Sequence, residues 1–305
     1  MRAMAPSQAT ASFLWRNDGA AMMTAETATD GRLVRTIRFL AVALVLFAPA
    51  AGVILALITV ARGQVRAVDV ALFAVGFLLT GLGVTVGYHR LAAHRSLETS
   101  PLLRGLMLVL GSMAVEGPVV PWVANHLQHH AYTDLPQDPH SPNEGFGYAH
   151  YGWLFQFPGA DASKYAPLIL RDRVAVFVST TFAIWVAVGY IIPFLIGGWE
   201  GFIWGGLLRQ FAVQHVTFAV NSVCHRYGSR PFRTGDMSTN NWVVGILGLG
   251  EGWHNNHHAF PSSAFHGLHP WEPDISGYVI RGLAAARLVW NVKRPSIEQI
   301  RKRSA

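Results

Sequence analysis

The chain has 305 residues, of which 51% are hydrophobic and only 13% charged, and its mean hydropathy is positive. That balance excludes an ordinary soluble domain and points to an integral membrane protein. The net charge of +7 sits in groups flanking apolar runs, which fits membrane topology and adhesion to anionic lipid, not nucleic-acid binding.

Residues 1–36 are rich in Ala, Thr, Met and Ser before a basic stretch, and disorder is expected there; Met22 and Met23 are alternative starts to Met1. They do not form a signal peptide, because the first apolar run begins only near Phe39 and is too long for one. Residues 39–61 hold 23 positions without a charge, enough to cross a hydrocarbon core of about 30 Å at about 1.5 Å per residue. Runs 68–87, 175–196 and 201–223 add three more, giving four spans in two hairpins. The membrane domain is then 37–295, with a basic tail at 296–305.

Arg32, Arg35 and Arg38 precede the first span, Arg90 and Arg95 follow the second, Arg171 and Arg173 precede the third, and Arg226, Arg230 and Arg233 follow the fourth. These segments and both termini are expected to be cytoplasmic; only Arg62 and Arg66 oppose that orientation. Run 102–120 is apolar but interrupted by Arg104, several glycines and Pro118, so it should dip in from the cytoplasmic side. Cys224, the lone cysteine, permits no intrachain disulfide.

Nine of the fourteen histidines form four groups: His89 and His94 in HRLAAH, His126, His129 and His130 in HLQHH, His225 in NSVCH, and His254, His257 and His258 in HNNHH. On a helix, i, i+3, i+4 spacing places three imidazoles on one face, as i, i+4 does for Asn221 and His225. Each group lies at or just inside the cytoplasmic end of a span. Nine imidazoles exceed one four-coordinate zinc site and suit two irons completed by water. The ferritin-like alternative needs two Glu-x-x-His pairs, and the chain offers only Glu251-x-x-His254. Asp134, Asp138, His140 and Glu251 are near enough in sequence to hold the second nitrogens of the ligands, or are ordinary loop groups. His215, His266 and His269 are expected to be packing or surface groups. GILGLGEG follows no strand and makes no nucleotide site.

GYHRLAAHRS, NHLQHHAYTDLPQDPHS, NSVCHRYGSRPF and EGWHNNHHAFP resemble the four signatures of the membrane acyl-CoA desaturases of the stearoyl-CoA, delta-9 type, and the likeness runs from about Arg38 to Trp290. The resemblance implies an all-α membrane fold of four transmembrane helices in two hairpins, with a cytoplasmic histidine-rich cap. It implies two iron ions on the nine histidines, with Asn221 reaching one through water, and a cis double bond made with O2 and two electrons. Arg209, within the fourth span, falls at a family arginine position. Trp122 and Thr217 would shape the tunnel bend, with Phe218 beside it. Phe73 and Phe77, one turn apart on the second span, either close the tunnel or pack against core and lipid.

An unactivated methylene offers no acidic proton, so the oxidising power belongs to the metal and the protein supplies orientation and dryness. No flavin, NAD or haem module accompanies the chain, so electrons should come from a separate ferredoxin, cytochrome or flavin reductase drawing on NAD(P)H. Where the family carries polar contacts to the CoA headgroup, this chain has Glu116, Gly117, Ala124, Asn125, Phe157 and Pro158. Loss of charge-assisted phosphate contacts leaves CoA, acyl carrier protein and membrane lipid open as carriers. A di-iron hydroxylase of alkane, sterol or carotenoid is the alternative activity. A metal transporter would instead place ligands near the bilayer midplane.

Overall fold

A computed structural model describes the backbone of residues 18–304 and the side chains of residues 32–304. Residues through Ala43 form one unit and those from Leu44 a second, which holds every element of the site. The expected N-terminal disorder falls partly on residues 1–17, outside the described residues. From Asp18 the backbone is helical, as the good helix formers Ala20, Ala21, Met22, Met23 and Ala25 favour.

Helix α1 (Asp18–Ala61) carries Pro49 in its interior. Proline has no N–H for the carbonyl four residues back, and that carbonyl, on Val45, instead accepts from the Gln210 side chain at 3.2 Å. In an apolar surrounding such a substitute is required. Helix α2 starts at Ala67 and runs to Leu82, then continues as an 11-residue π-helix, Gly83–Ala93. Helix α3 (Pro101–Met113) crosses this π segment closely: a Cβ at Gly83 would lie 2.1 Å from Gly111 N, and one at Gly87 2.7 Å from Met107 O. Two glycines one turn apart are what permits that approach. Helix α4 (Val119–Tyr132) follows after a tight connection through Val115 and Gly117 at positive φ.

A short helix α5 (Arg173–Thr180) leads to α6 (Phe182–Gly201), a π segment Phe202–Leu208 and α7 (Arg209–Ser222). The run doubles back at Gly198, whose φ of 66° and ψ of −144° leave the helical region. Gly205 then packs on Pro193 and Gly206 on the Tyr190 ring, an antiparallel pairing. Arg66, capping α2 and bonded to Asp69, reaches the Gly197 carbonyl at 2.6 Å and ties the two turns together. Among the described residues three helices are long and apolar enough to cross a membrane: Arg32–Ala61, Ala67–Ala93 and Phe182–Ser222, the last being the one folded at Gly198.

Arg209 is 1% exposed, and its guanidinium donates to the carbonyls of Gly205, Met113 and Gly189. A cation at that depth is tolerated because three oxygens replace water. The helices that follow are short and joined by turns and irregular segments: α8 (Trp242–Leu247), α9 (His254–Ala259), α10 (Ile275–Ala285) and α11 (Ile297–Arg303), the last giving the basic tail a capped helix on Ser296 and Gln299. Among the described residues the only ladder is a two-residue antiparallel pair, β1 (Glu98–Thr99) with β2 (Val289–Trp290).

Candidate metal centre

The nine histidines converge as two clusters. His89, His94, His126, His130 and His257 form one; His129, His225, His254 and His258 form the other. Each helical triplet is divided: in α4 the i, i+4 pair His126 and His130 faces the first cluster and His129 the second, whereas in α9 His254 and His258 face the second and His257 the first. His89 and His94 are five residues apart, a spacing with no common face on an α-helix. The π-helix supplies it, with the His94 N–H donating to His89 O and the two rings 4.8 Å apart.

Within each cluster the Nε2 atoms crowd together. They stand 2.7 Å apart for His94 and His126, 2.9 Å for His130 and His257, 3.2 Å for His89 and His257, 3.0 Å for His225 and His254, and 3.1 Å for His254 and His258. His129 Nε2 is buried with no hydrogen-bond partner. Four rings have Nδ1 against a carboxylate: His89 on Glu251 at 2.6 Å, His129 on Asp138 at 2.9 Å, His225 on Asp134 at 3.1 Å and His258 on Asp236 at 2.9 Å. With the proton held on Nδ1, the Nε2 atoms of these four rings carry lone pairs free for a cation. A spacing of about 3 Å is also the polyhedron edge for metal–nitrogen bonds of about 2.1 Å. The donor set therefore fits two metal ions.

Burial, reinforced by neighbouring imidazoles, holds His126, His130, His254, His257 and His258 well below the usual histidine range, so they are neutral and free to ligate. Burial works against the carboxylates, yet His225 holds Asp134, His129 and His140 hold Asp138, and His266, His89 and Arg90 hold Glu251 below the ordinary carboxylate value.

All four groups expected to support the ligands are beside them. Asp134 and Asp138 sit in the turn after α4, and Asp138 also accepts from the N–H groups of Asp134 and His140. His140 packs its ring 4.4 Å from that of His129. Three further participants were not expected from the sequence. Asp236 lies in an irregular loop far from any histidine box. Arg90, expected on a cytoplasmic segment after the second span, is fully buried, bridging Glu251 at 3.2 Å and Asp274 at 3.0 Å. His266, expected as packing or surface, is buried with Nδ1 3.3 Å from Glu251. His215 instead pairs with His150 at 3.0 Å, and His269 stacks on Trp271.

A cavity touches both clusters through His89, His126, His129 and His254, and Asn221 lines it. Trp122, stacked on His126, Thr217 and Phe77 line it too. Phe73 packs on Phe77 at 6.1 Å outside that lining. Phe218 is also outside it: one residue on from Thr217, the helix turns its ring toward His150 and His215. Ala124 is buried, and Asn125 is occupied with the Ala160 N–H at 2.9 Å.

Residues 66–285 match the family model described as fatty acid desaturase. The chain is 37% identical over 273 residues to the hex-5-enoyl-[acyl-carrier protein] acetylenase of Moorena producens (strain JHB), covering 83% of this chain and 85% of that protein. It is 42% identical over 230 residues to the sn-1 stearoyl-lipid 9-desaturase of Anabaena variabilis, covering 74% and 84%. It is 38% identical over 243 residues to the icosanoyl-CoA 5-desaturase of Limnanthes douglasii, covering 76% and 68%. With helices fit to span a membrane and two histidine clusters fit to hold metal, the chain belongs to the fatty acid desaturase family.

Proposed function

We propose that the protein is an O2-dependent desaturase that introduces a cis double bond at the ninth carbon of a saturated acyl chain carried by CoA. The observation that carries this reading is the apolar cavity of Phe77, Val84, Trp122, Val213 and Val216 that ends on His89, His126, His129 and His254. A chain held there has its methylenes beside the metal positions and shielded from water, which is how the protein lowers the barrier. Two irons, which the nine histidines would hold with Asn221 reaching one through water, would supply the oxidising chemistry. In balance, the acyl chain gives up two hydrogens, a separate reduced carrier gives two electrons, and O2 leaves with two further protons as two waters.

The four apolar arms are read as spans, with the clusters and both termini on the cytoplasmic side where the basic residues gather. The carrier deserves a direct assay, since the relatives named above act on acyl carrier protein, lipid and CoA substrates. Expression in a host without desaturation, with ferredoxin and reductase supplied, should yield a new cis-9 monoene that His129→Ala abolishes. Purified enzyme given stearoyl-CoA, stearoyl-carrier protein and stearoyl-lipid in parallel identifies the carrier. Hydroxylated acyl chains in place of the monoene would overturn the desaturase reading.

A further inference from the structure

The two imidazole clusters are backed by unequal charge. Behind the four-histidine cluster, three of the rings bond to a carboxylate each, from Asp138, Asp134 and Asp236. The nearby cations do not neutralise these anions: Arg226 donates to the Pro142 carbonyl, and Arg230 to the carbonyls of Thr234 and Asp236 and the Thr234 hydroxyl. Behind the five-histidine cluster Glu251 is the single carboxylate on a ligand ring, and it is shared. One oxygen accepts from His89 and stands 3.3 Å from His266, while the other faces the buried Arg90 guanidinium at 3.2 Å.

A carboxylate on Nδ1–H makes the opposite nitrogen a stronger donor and places negative charge near the ion, and loss of one such partner typically costs about 10–100-fold in metal affinity. The fifth imidazole of the first cluster is a neutral donor standing where water would otherwise bind. Two additional anionic partners bonded to ligand rings outweigh it, while Arg90 is shared between Glu251 and Asp274.

We propose that the two metal positions are unequal, the four-histidine position with its three aspartates binding a divalent ion first and at least about tenfold more tightly. This rests on the reading of both clusters as metal sites. It assigns Asp236 as a positioning residue for His258, a role outside any histidine motif.

The test is a titration of full-length apo-protein in detergent micelles with Co(II), followed by calorimetry and visible absorption. Two steps are expected, one ion each, with affinities at least about tenfold apart. Asp236→Asn should weaken the tighter step about 10–100-fold and leave the looser one, and Asp138→Asn, on another loop, should do the same; Glu251→Gln should affect only the looser step. Far-UV circular dichroism of each apo variant reports folding, so the comparison uses whichever of the two aspartate variants is folded. Two equal steps in the wild type, or an aspartate variant that weakens the looser step, would overturn the inequality while leaving the metal centre intact. Fewer than one ion bound per wild-type chain would overturn the metal reading itself.

Discussion

His89 Nδ1 lies 2.6 Å from Glu251 Oε2 although 162 positions separate the two residues. The contact joins the π segment of α2 to the turn before α9, and through Glu251 it draws in Arg90, Asp274 and His266. The first cluster is thereby tied to a buried ion network.

Arg90→Met should be strongly destabilising. The side chain is fully buried between Glu251 and Asp274, and removing one partner of a buried pair leaves uncompensated charge, at a cost of about 3–5 kcal/mol. A fall in the thermal midpoint of the micellar protein by about 5–8 degrees is expected; an unchanged midpoint would show that the network contributes nothing net.

Gly83→Leu should prevent α3 from seating on α2. Even a Cβ at this position would lie 2.1 Å from Gly111 N, so the larger side chain cannot be absorbed by side-chain rotation alone. Loss of the monodisperse peak in fluorescence-detected size exclusion is the expected result, with Gly282→Leu, which meets nothing within 4 Å, as a control for local tolerance.

Glu116 gives a pH-dependent prediction. Its carboxyl is buried beside the Thr217 hydroxyl with Oε1 unpartnered, and burial pushes its pKa up to about 8 from the ordinary 4.5. An acid whose folded value is raised costs stability progressively as pH rises from its unfolded value toward the folded one, because only the unfolded chain releases the proton freely. Glu116→Gln removes that cost. Variant and wild type should have similar midpoints near pH 4.5, and the variant should gain steadily up to about pH 8. Equal midpoints at both ends of the range would mean that the carboxyl is solvated.

Phe77 and Phe73 separate by function. Phe77 lines the cavity and Phe73 does not, so Phe77→Ala should extend the cavity and shift the products by several-fold toward acyl chains two or more carbons longer. Phe73→Ala should leave chain length unchanged. Gas chromatography–mass spectrometry of the monoenes reads both, and a larger shift from Phe73→Ala would move the end of the tunnel away from Phe77.

The sequence alone determined the class of the molecule. Long uncharged runs can be satisfied only as helices in an apolar medium, and nine clustered histidines with i, i+3 and i+4 spacing have few uses besides binding metal, because both signals are local. Asp134, Asp138 and Glu251 were legible for the same reason, lying a few residues from the rings they support. Only the tertiary structure decided how the imidazoles divide, since one helical face can serve two centres, and HLQHH and HNNHH each do. It also brought Asp236 and His266 beside the imidazoles and their carboxylates, buried Arg90 between Glu251 and Asp274, and turned Phe218 away from the cavity. Those outcomes depend on contacts between residues tens to hundreds of positions apart, and local spacing carries no information about which distant group arrives to satisfy a buried nitrogen or charge.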